Sequence, residues 1–191
     1  MDMEARIRSM KGMNLPNRLT LCRILLVPVY LLILWFGKTQ GMRVLALVVF
    51  VLASLTDLLD GKIARRYNLV SNFGKFMDPI ADKLLTHTAF IMFTALGELN
   101  VLFAIIFIAR EFVVSGLRLV AVEQGHVIAA GMSGKIKTVL QMTLVMLLTL
   151  NLQVPFVMVL TKIVGVLAAG MTLYSMMEYV WQNRAVLTKE G

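Results

Sequence analysis

Apolar residues run along this chain in six blocks, each close to the roughly 20 residues needed to cross a bilayer. They fall near Leu15–Phe36, Met42–Leu59, Phe76–Leu96, Val101–Val122, Lys135–Leu152 and Pro155–Trp181, with short polar turns between them. Each block predicts a helix, because lipid offers backbone N–H and C=O groups no partner outside the segment itself. The first block is not a cleaved signal peptide: its apolar stretch is too long and no small-residue cleavage site follows. Met1–Gly12 differs from the rest. Ile7 and Met10 stand among Arg6, Arg8 and Lys11, the pattern of a short helix lying on a membrane surface or of a flexible leader. The expected architecture is all-α: an interfacial or flexible segment over 1–12 and a single domain of six transmembrane helices over 13–191. No internal repeat and no low-complexity linker interrupts it.

Composition excludes a soluble domain. Of 191 residues, 59% are hydrophobic and 16% charged, and mean hydropathy is +0.80; a globule of this size cannot hide so much apolar surface. The single Cys22 excludes an internal disulfide. A net charge of +8 invites a nucleic-acid reading, but its placement argues against one. Basic residues cluster before the first block (Arg6, Arg8, Lys11, Arg18), between the second and third (Lys62, Arg65, Arg66, Lys75), around the fourth-to-fifth turn (Arg118, Lys135, Lys137) and after the last (Arg184, Lys189). The alternate turns are poorer in charge. That alternation is the positive-inside pattern. It puts both termini and the segment from Asp57 to Asp82 on the cytoplasmic side of a cell membrane, where the basic excess meets anionic lipid and a phosphorylated substrate rather than nucleic acid.

The second block turns polar at its end: Asp57, Asp60, Gly61, Ala64, Arg65, then Gly74, Asp78 and Asp82. Asp57 and Asp60 are spaced i, i+3 and Asp78 and Asp82 i, i+4, so on helices each pair shares a face. Four inward carboxylates make an oxygen cage suited to hard divalent cations such as Mg2+, with Mn2+ the alternative. Two such ions grip a pyrophosphate and polarise the attacked phosphorus, while one carboxylate accepts a proton from an attacking hydroxyl. Gly61 lets a substrate approach the helix backbone, Ala64 leaves room, and Arg65 is a planar donor for phosphate. Interfacial salt bridges with Arg65, Arg66, Lys75 and Lys83 are the plainer alternative. The helical spacing of all four acids, with Gly and Ala interleaved, weighs against it. Intramembrane carboxylates also mark cation channels and transporters.

The run Asp57-Leu-Leu-Asp60-Gly61-Lys-Ile-Ala64-Arg65, followed by Gly74, Asp78 and Asp82, resembles the complete signature of the CDP-alcohol phosphotransferases. That resemblance implies a six-helix membrane enzyme, usually a homodimer, moving a phosphatidyl or similar group from a CDP-linked donor to an alcohol with release of cytidine monophosphate. It implies that Asp57, Asp60, Asp78 and Asp82 hold two metal ions, that Asp82 is also the general base, and that Gly61, Ala64, Arg65 and Gly74 hold the CDP portion. The flanks Asn14-Leu-Pro-Asn17-Arg-Leu-Thr20-Leu-Cys-Arg23, Ala109-Arg110-Glu111-Phe, Ser115-Gly-Leu-Arg118 and Gly134-Lys135-Ile-Lys137-Thr138 are similar to those of the bacterial phosphatidylglycerophosphate synthases within that family. They imply CDP-diacylglycerol as donor, glycerol-3-phosphate as acceptor and a bacterial inner-membrane setting. Serine, inositol phosphate or another alcohol are the rival acceptors.

The flanks make physical sense of their own. Arg110 and Glu111 lie about 15 Å into an apolar block at 1.5 Å per residue, where they need partners or water. Glu111 can hold a neighbouring cation in place. Arg118 is two turns from Arg110 on roughly the same face, and Lys135 enters the next helix from the cytoplasmic side. Three converging cations suit a dianionic phosphate. The plainer reading makes Arg110–Glu111 a structural pair and leaves Arg118, Lys135 and Lys137 to the positive-inside pattern. Asn17 and Arg23 are candidates for the nucleotide pocket, although Arg23 could instead snorkel to the headgroups. Trp35, Tyr174, Tyr179 and Trp181 lie near block ends, where interfacial aromatics collect, and the scattered methionines read as packing.

Overall fold

The computed structural model describes residues 15–66, 72–125, 128 and 131–184, without the side chains of 15–19, 57–66, 72–79 and 82. The segment over 1–12 lies outside the described residues. Six helices and no strand occur among those described: α1 Leu15–Phe36, α2 Gln40–Arg66, α3 Asn72–Ala95, α4 Val101–Glu123, α5 Met132–Leu150 and α6 Pro155–Gln182. All six expected helices are present. α6 is long and apolar enough to cross a membrane, while α1 and α2 carry shorter apolar stretches, Thr20–Phe36 and Gln40–Thr56. Two boundaries differ from expectation. α2 runs past its apolar part to Arg66. α3 begins at Asn72, so Pro79 stands inside the helix rather than in the first turn, where proline is best tolerated.

The chain divides into two compact units, Met1–Thr88 and Ala89–Gly191. In the first, α1 and α2 form a helical hairpin. Its turn is tight: a Cβ on Gly37 would lie 2.3 Å from the Ile33 carbonyl oxygen and 2.7 Å from the Met42 Cβ, so only glycine fits. The Thr39 carbonyl accepts from the Met42 N–H at 3.1 Å to open α2. Buried positions alternate by threes and fours on both helices: Thr20, Arg23, Val27, Tyr30 and Leu34 on α1, and Ala46, Phe50 and Ala53 on α2. This is the seam of coiled-coil-like packing. Tyr30 and Phe50 meet across it with ring centroids 5.6 Å apart.

In the second unit, α6 packs against both α4 and α5. α3 closes with a positive-φ Gly97 (72°). The Glu98 N–H reaches the Phe93 carbonyl at 2.8 Å and the Gly97 N–H reaches that of Thr94 at 3.1 Å, the two bonds of a Schellman stop. Gly165 faces α5, where a Cβ would meet Leu144 at an ordinary contact distance of 3.7 Å. Gln141 donates to Thr172 across the same contact at 3.1 Å. Beyond Leu150, Asn151 takes a left-handed conformation (φ 43°) and donates from its amide to Glu98 Oε1 at 3.0 Å, bracing the start of α4 against the end of α5.

Each unit buries polar groups within a mainly apolar interior and also leaves large apolar side chains exposed. Thr20, Arg23, Arg110, Glu111, Lys137, Gln141, Thr149, Thr172 and Ser175 are buried, while Phe156 (75%), Met177 (69%) and Val166 (63%) stand exposed on α6. Exposed apolar surface on this scale marks a binding or membrane surface.

Candidate active site

Asp57 and Asp60 lie on α2, and Asp78 and Asp82 on α3. Their side chains lie outside the described residues, as do those of Asn17, Gly61, Ala64, Arg65 and Gly74. Helical register still places the positions. Asp57, Asp60 and Ala64 continue the three-four series of Ala46, Phe50 and Ala53. Gly74, Asp78 and Asp82 share an i, i+4 series that leads into the buried Leu85. An all-oxygen donor set of four carboxylates at these spacings has the chemistry a hard divalent cation requires.

Arg23 belongs to the α1–α2 seam. It is 1% exposed, and its Nε donates to the Ala53 carbonyl at 3.3 Å. Ala53 is one turn before Asp57, so the seam delivers a fixed cation to the helix that carries the first aspartate pair. Burial removes the alternative in which Arg23 snorkels to headgroups.

The second unit contains a cationic cavity of about 200 Å³. Arg110 and Arg118 from α4 line it together with Gly131, Ser133 and Gly134 at the start of α5. Arg110 Nη1 pairs with Glu111 Oε1 at 2.9 Å, and the same oxygen is in close contact with Lys137 Nζ. All three side chains are at least nine-tenths buried. The cluster therefore holds two cations on one carboxylate. Arg110 Nε is buried with no hydrogen-bond partner, a donor whose desolvation is uncompensated until something accepts from it. Gly134 lies against the guanidinium: a Cβ at that position would sit 3.4 Å from Arg110 Nη2, at the edge of ordinary contact.

Arg118 is fixed differently. Its Nε donates to Tyr179 Oη at 3.2 Å, and its guanidinium carbon lies 5.6 Å from the centroid of the same ring. α6 also contributes Ser175, Glu178 and Gln182 to the wall, with Gln182 Nε2 donating to Glu178 Oε1 at 3.3 Å.

Of the three cations expected to converge, the structure brings Arg110 and Arg118 together. Lys135 is exposed and does not line the cavity; its neighbour Lys137 is the lysine turned inward, through Glu111. Tyr179 was expected in an interfacial belt with Trp35, Tyr174 and Trp181. Those three are exposed, but Tyr179 is only 7% exposed and belongs to the site. No local signal marks it, because its partner lies elsewhere in the chain.

Comparison with known proteins places the chain in a family. Residues 13–174 match the family described as CDP-alcohol phosphatidyltransferase. The chain is 43% identical over 157 residues to the CDP-diacylglycerol–glycerol-3-phosphate 3-phosphatidyltransferase of Bacillus subtilis, spanning 76% of this chain and 81% of that protein. It is 43% identical over 138 residues to the protein of the same name from Rickettsia typhi, covering 72% and 77% of the two chains. The corresponding Shigella flexneri protein is 37% identical over 180 residues, covering 91% and 97%.

Proposed function

Because the chain belongs to the CDP-alcohol phosphatidyltransferase family, we propose that it transfers the phosphatidyl group of CDP-diacylglycerol to glycerol-3-phosphate, giving phosphatidylglycerophosphate and cytidine monophosphate for phospholipid synthesis. The observation that carries the choice of acceptor is the cavity flanked by Arg110 and Arg118, with the unsatisfied Arg110 Nε. A neutral alcohol could accept from Nε but would bring no counter-charge for the second guanidinium, Arg118; a phosphate dianion can do both. The names of the relatives from Bacillus, Rickettsia and Shigella point the same way.

The large apolar side chains exposed on the helices support a membrane-spanning reading for all six, α1 to α6, and the placement of basic residues supports an active site at the cytoplasmic face of a bacterial inner membrane. CDP-diacylglycerol then reaches the site with its acyl chains still in lipid. A homodimer is part of the same reading.

The family is generally divalent-metal dependent. Asp57, Asp60, Asp78 and Asp82 would hold two ions, most simply Mg2+, which when bound neutralise the pyrophosphate and polarise its phosphorus. Arg23, Arg65, Asn17, Gly61, Ala64 and Gly74 serve the CDP portion, the glycine and alanine positions by leaving space beside the helix backbone. Arg110 and Arg118 bind the acceptor phosphate, and the exposed Lys135 draws it in from solution. Asp82 takes the proton of the primary hydroxyl as that oxygen attacks the phosphorus bearing diacylglycerol, and cytidine monophosphate leaves. Positioning and charge neutralisation supply most of the acceleration.

The direct test supplies purified enzyme with labelled CDP-diacylglycerol and, separately, glycerol-3-phosphate, serine, inositol phosphate and glycerol. Cytidine monophosphate should appear with glycerol-3-phosphate; equal release with glycerol would remove the phosphate-binding role of the cavity. In Arg118→Ala, the KM for glycerol-3-phosphate should rise at least about tenfold, the loss expected for a charge-assisted contact. The KM for the lipid donor should stay near wild type. An equal rise in both would count against the acceptor assignment.

A further inference from the structure

We propose that Tyr179 is a positioning residue for the acceptor: it locks the Arg118 guanidinium so that the terminal nitrogens are presented to the phosphate. This deepens the acceptor reading above and rests on it.

An arginine carries five N–H donors in a rigid fork, and its value in binding phosphate comes from offering two of them side by side. A free arginine side chain spends rotamer entropy to do so. Here the Nε–H is already committed to Tyr179 Oη at 3.2 Å, while the phenol ring lies within cation–π range of the guanidinium, at 5.6 Å. A bond at Nε and a ring nearby restrict rotation about the end of the side chain, and the Nη groups remain for a ligand. Both residues line the same cavity, so the locked group faces the space that the phosphate is to occupy.

Tyr179 is itself held firmly. It packs in an apolar cluster with Val114 and Leu117, which flank Arg118 on α4, and with Ile128 and Val180. Its ring is therefore fixed by the helix that carries the arginine it orients. The hydroxyl is the one polar atom in that cluster's side chains, and phenylalanine would fill the same volume without it.

The experiment uses full-length enzyme in mixed micelles and measures KM for each substrate separately. Tyr179→Phe should keep the wild-type melting midpoint and raise the KM for glycerol-3-phosphate about fivefold, the range of one typical net hydrogen bond, with KM for CDP-diacylglycerol unchanged. In the Arg118→Ala background the same substitution should add nothing, since a residue that acts only through Arg118 has no effect once that side chain is gone. An unchanged acceptor KM in Tyr179→Phe, an equal rise in both KM values, or full additivity with Arg118→Ala would each overturn the proposal. If Arg118→Ala is selective and Tyr179→Phe is silent, the acceptor site stands and only the positioning role falls; if Arg118→Ala is itself unselective, the acceptor reading has failed first. Should Tyr179→Phe not fold, Arg118→Lys replaces it. Lysine keeps the charge but lacks the Nε–H, so the same selective rise is expected, and a wild-type acceptor KM overturns the proposal.

Discussion

Asp82→Asn should purify with wild-type helix content and release cytidine monophosphate at least about a thousandfold more slowly, within the range lost when a general base is removed. The substitution keeps the shape of the side chain and removes its charge and its basicity. The backbone of α3 runs continuously from Asn72 to Ala95 and is anchored beyond Asp82 by the buried Leu85 and Ala89. Loss of one oxygen ligand could be offset by raising the Mg2+ concentration, whereas loss of the base could not. Titration with excess Mg2+ should therefore restore little. Near-normal turnover in this variant would remove Asp82 as the base, and full rescue by metal would reduce it to a ligand.

Glu111→Ala should be the most damaging change to stability. One carboxylate oxygen contacts both Arg110 and Lys137 in a buried setting. Deleting it takes away the counter-charge that both cations contact, which costs about 3–5 kcal/mol when a buried pair is broken. The measurement is the thermal midpoint in detergent, followed by circular dichroism. Lys137→Met should cost less, because the Arg110–Glu111 pair that remains is neutral overall and methionine fills the space of the lysine stem. The reverse order of the two variants, or a wild-type midpoint for Glu111→Ala, would show that the cluster is not what holds α4 to α5.

Much of this was legible in the amino-acid order, for reasons that differ by residue. Six apolar blocks of about 20 residues predict six helices, and six occur among the described residues. The four aspartates could be placed because their spacing is local: i, i+3 and i, i+4 mean the same face on any helix. Glu111 was readable as a counter-ion because an acid inside an apolar block must have a partner. What escaped was tertiary. Lys135 and Lys137 differ by two positions, about 200° around a helix, so one must face away from a neighbour that the other meets. Only the rotation of α5 decides between them, and it chose Lys137. Tyr179 lies 61 positions from Arg118, near a chain end rich in aromatics, and nothing local separates it from Trp181. The start of α3 at Asn72 was missed in favour of Phe76 because it lies among residues with little apolar periodicity.

The brace between Glu98 and Asn151 acts at a distance from the cationic cavity. It ties the beginning of α4 to the end of α5, whereas Arg118 and Gly134 lie toward the opposite ends of those helices. Between the two lies the second tie, from Glu111 to Lys137, so the relative tilt of α4 and α5 is set at two heights. α4, at 23 residues, is about 35 Å long, so a swing of about 2° displaces its far end by about 1 Å. A tilt released at the brace would therefore change the gape of the cavity through an amide and a carboxylate that do not line it.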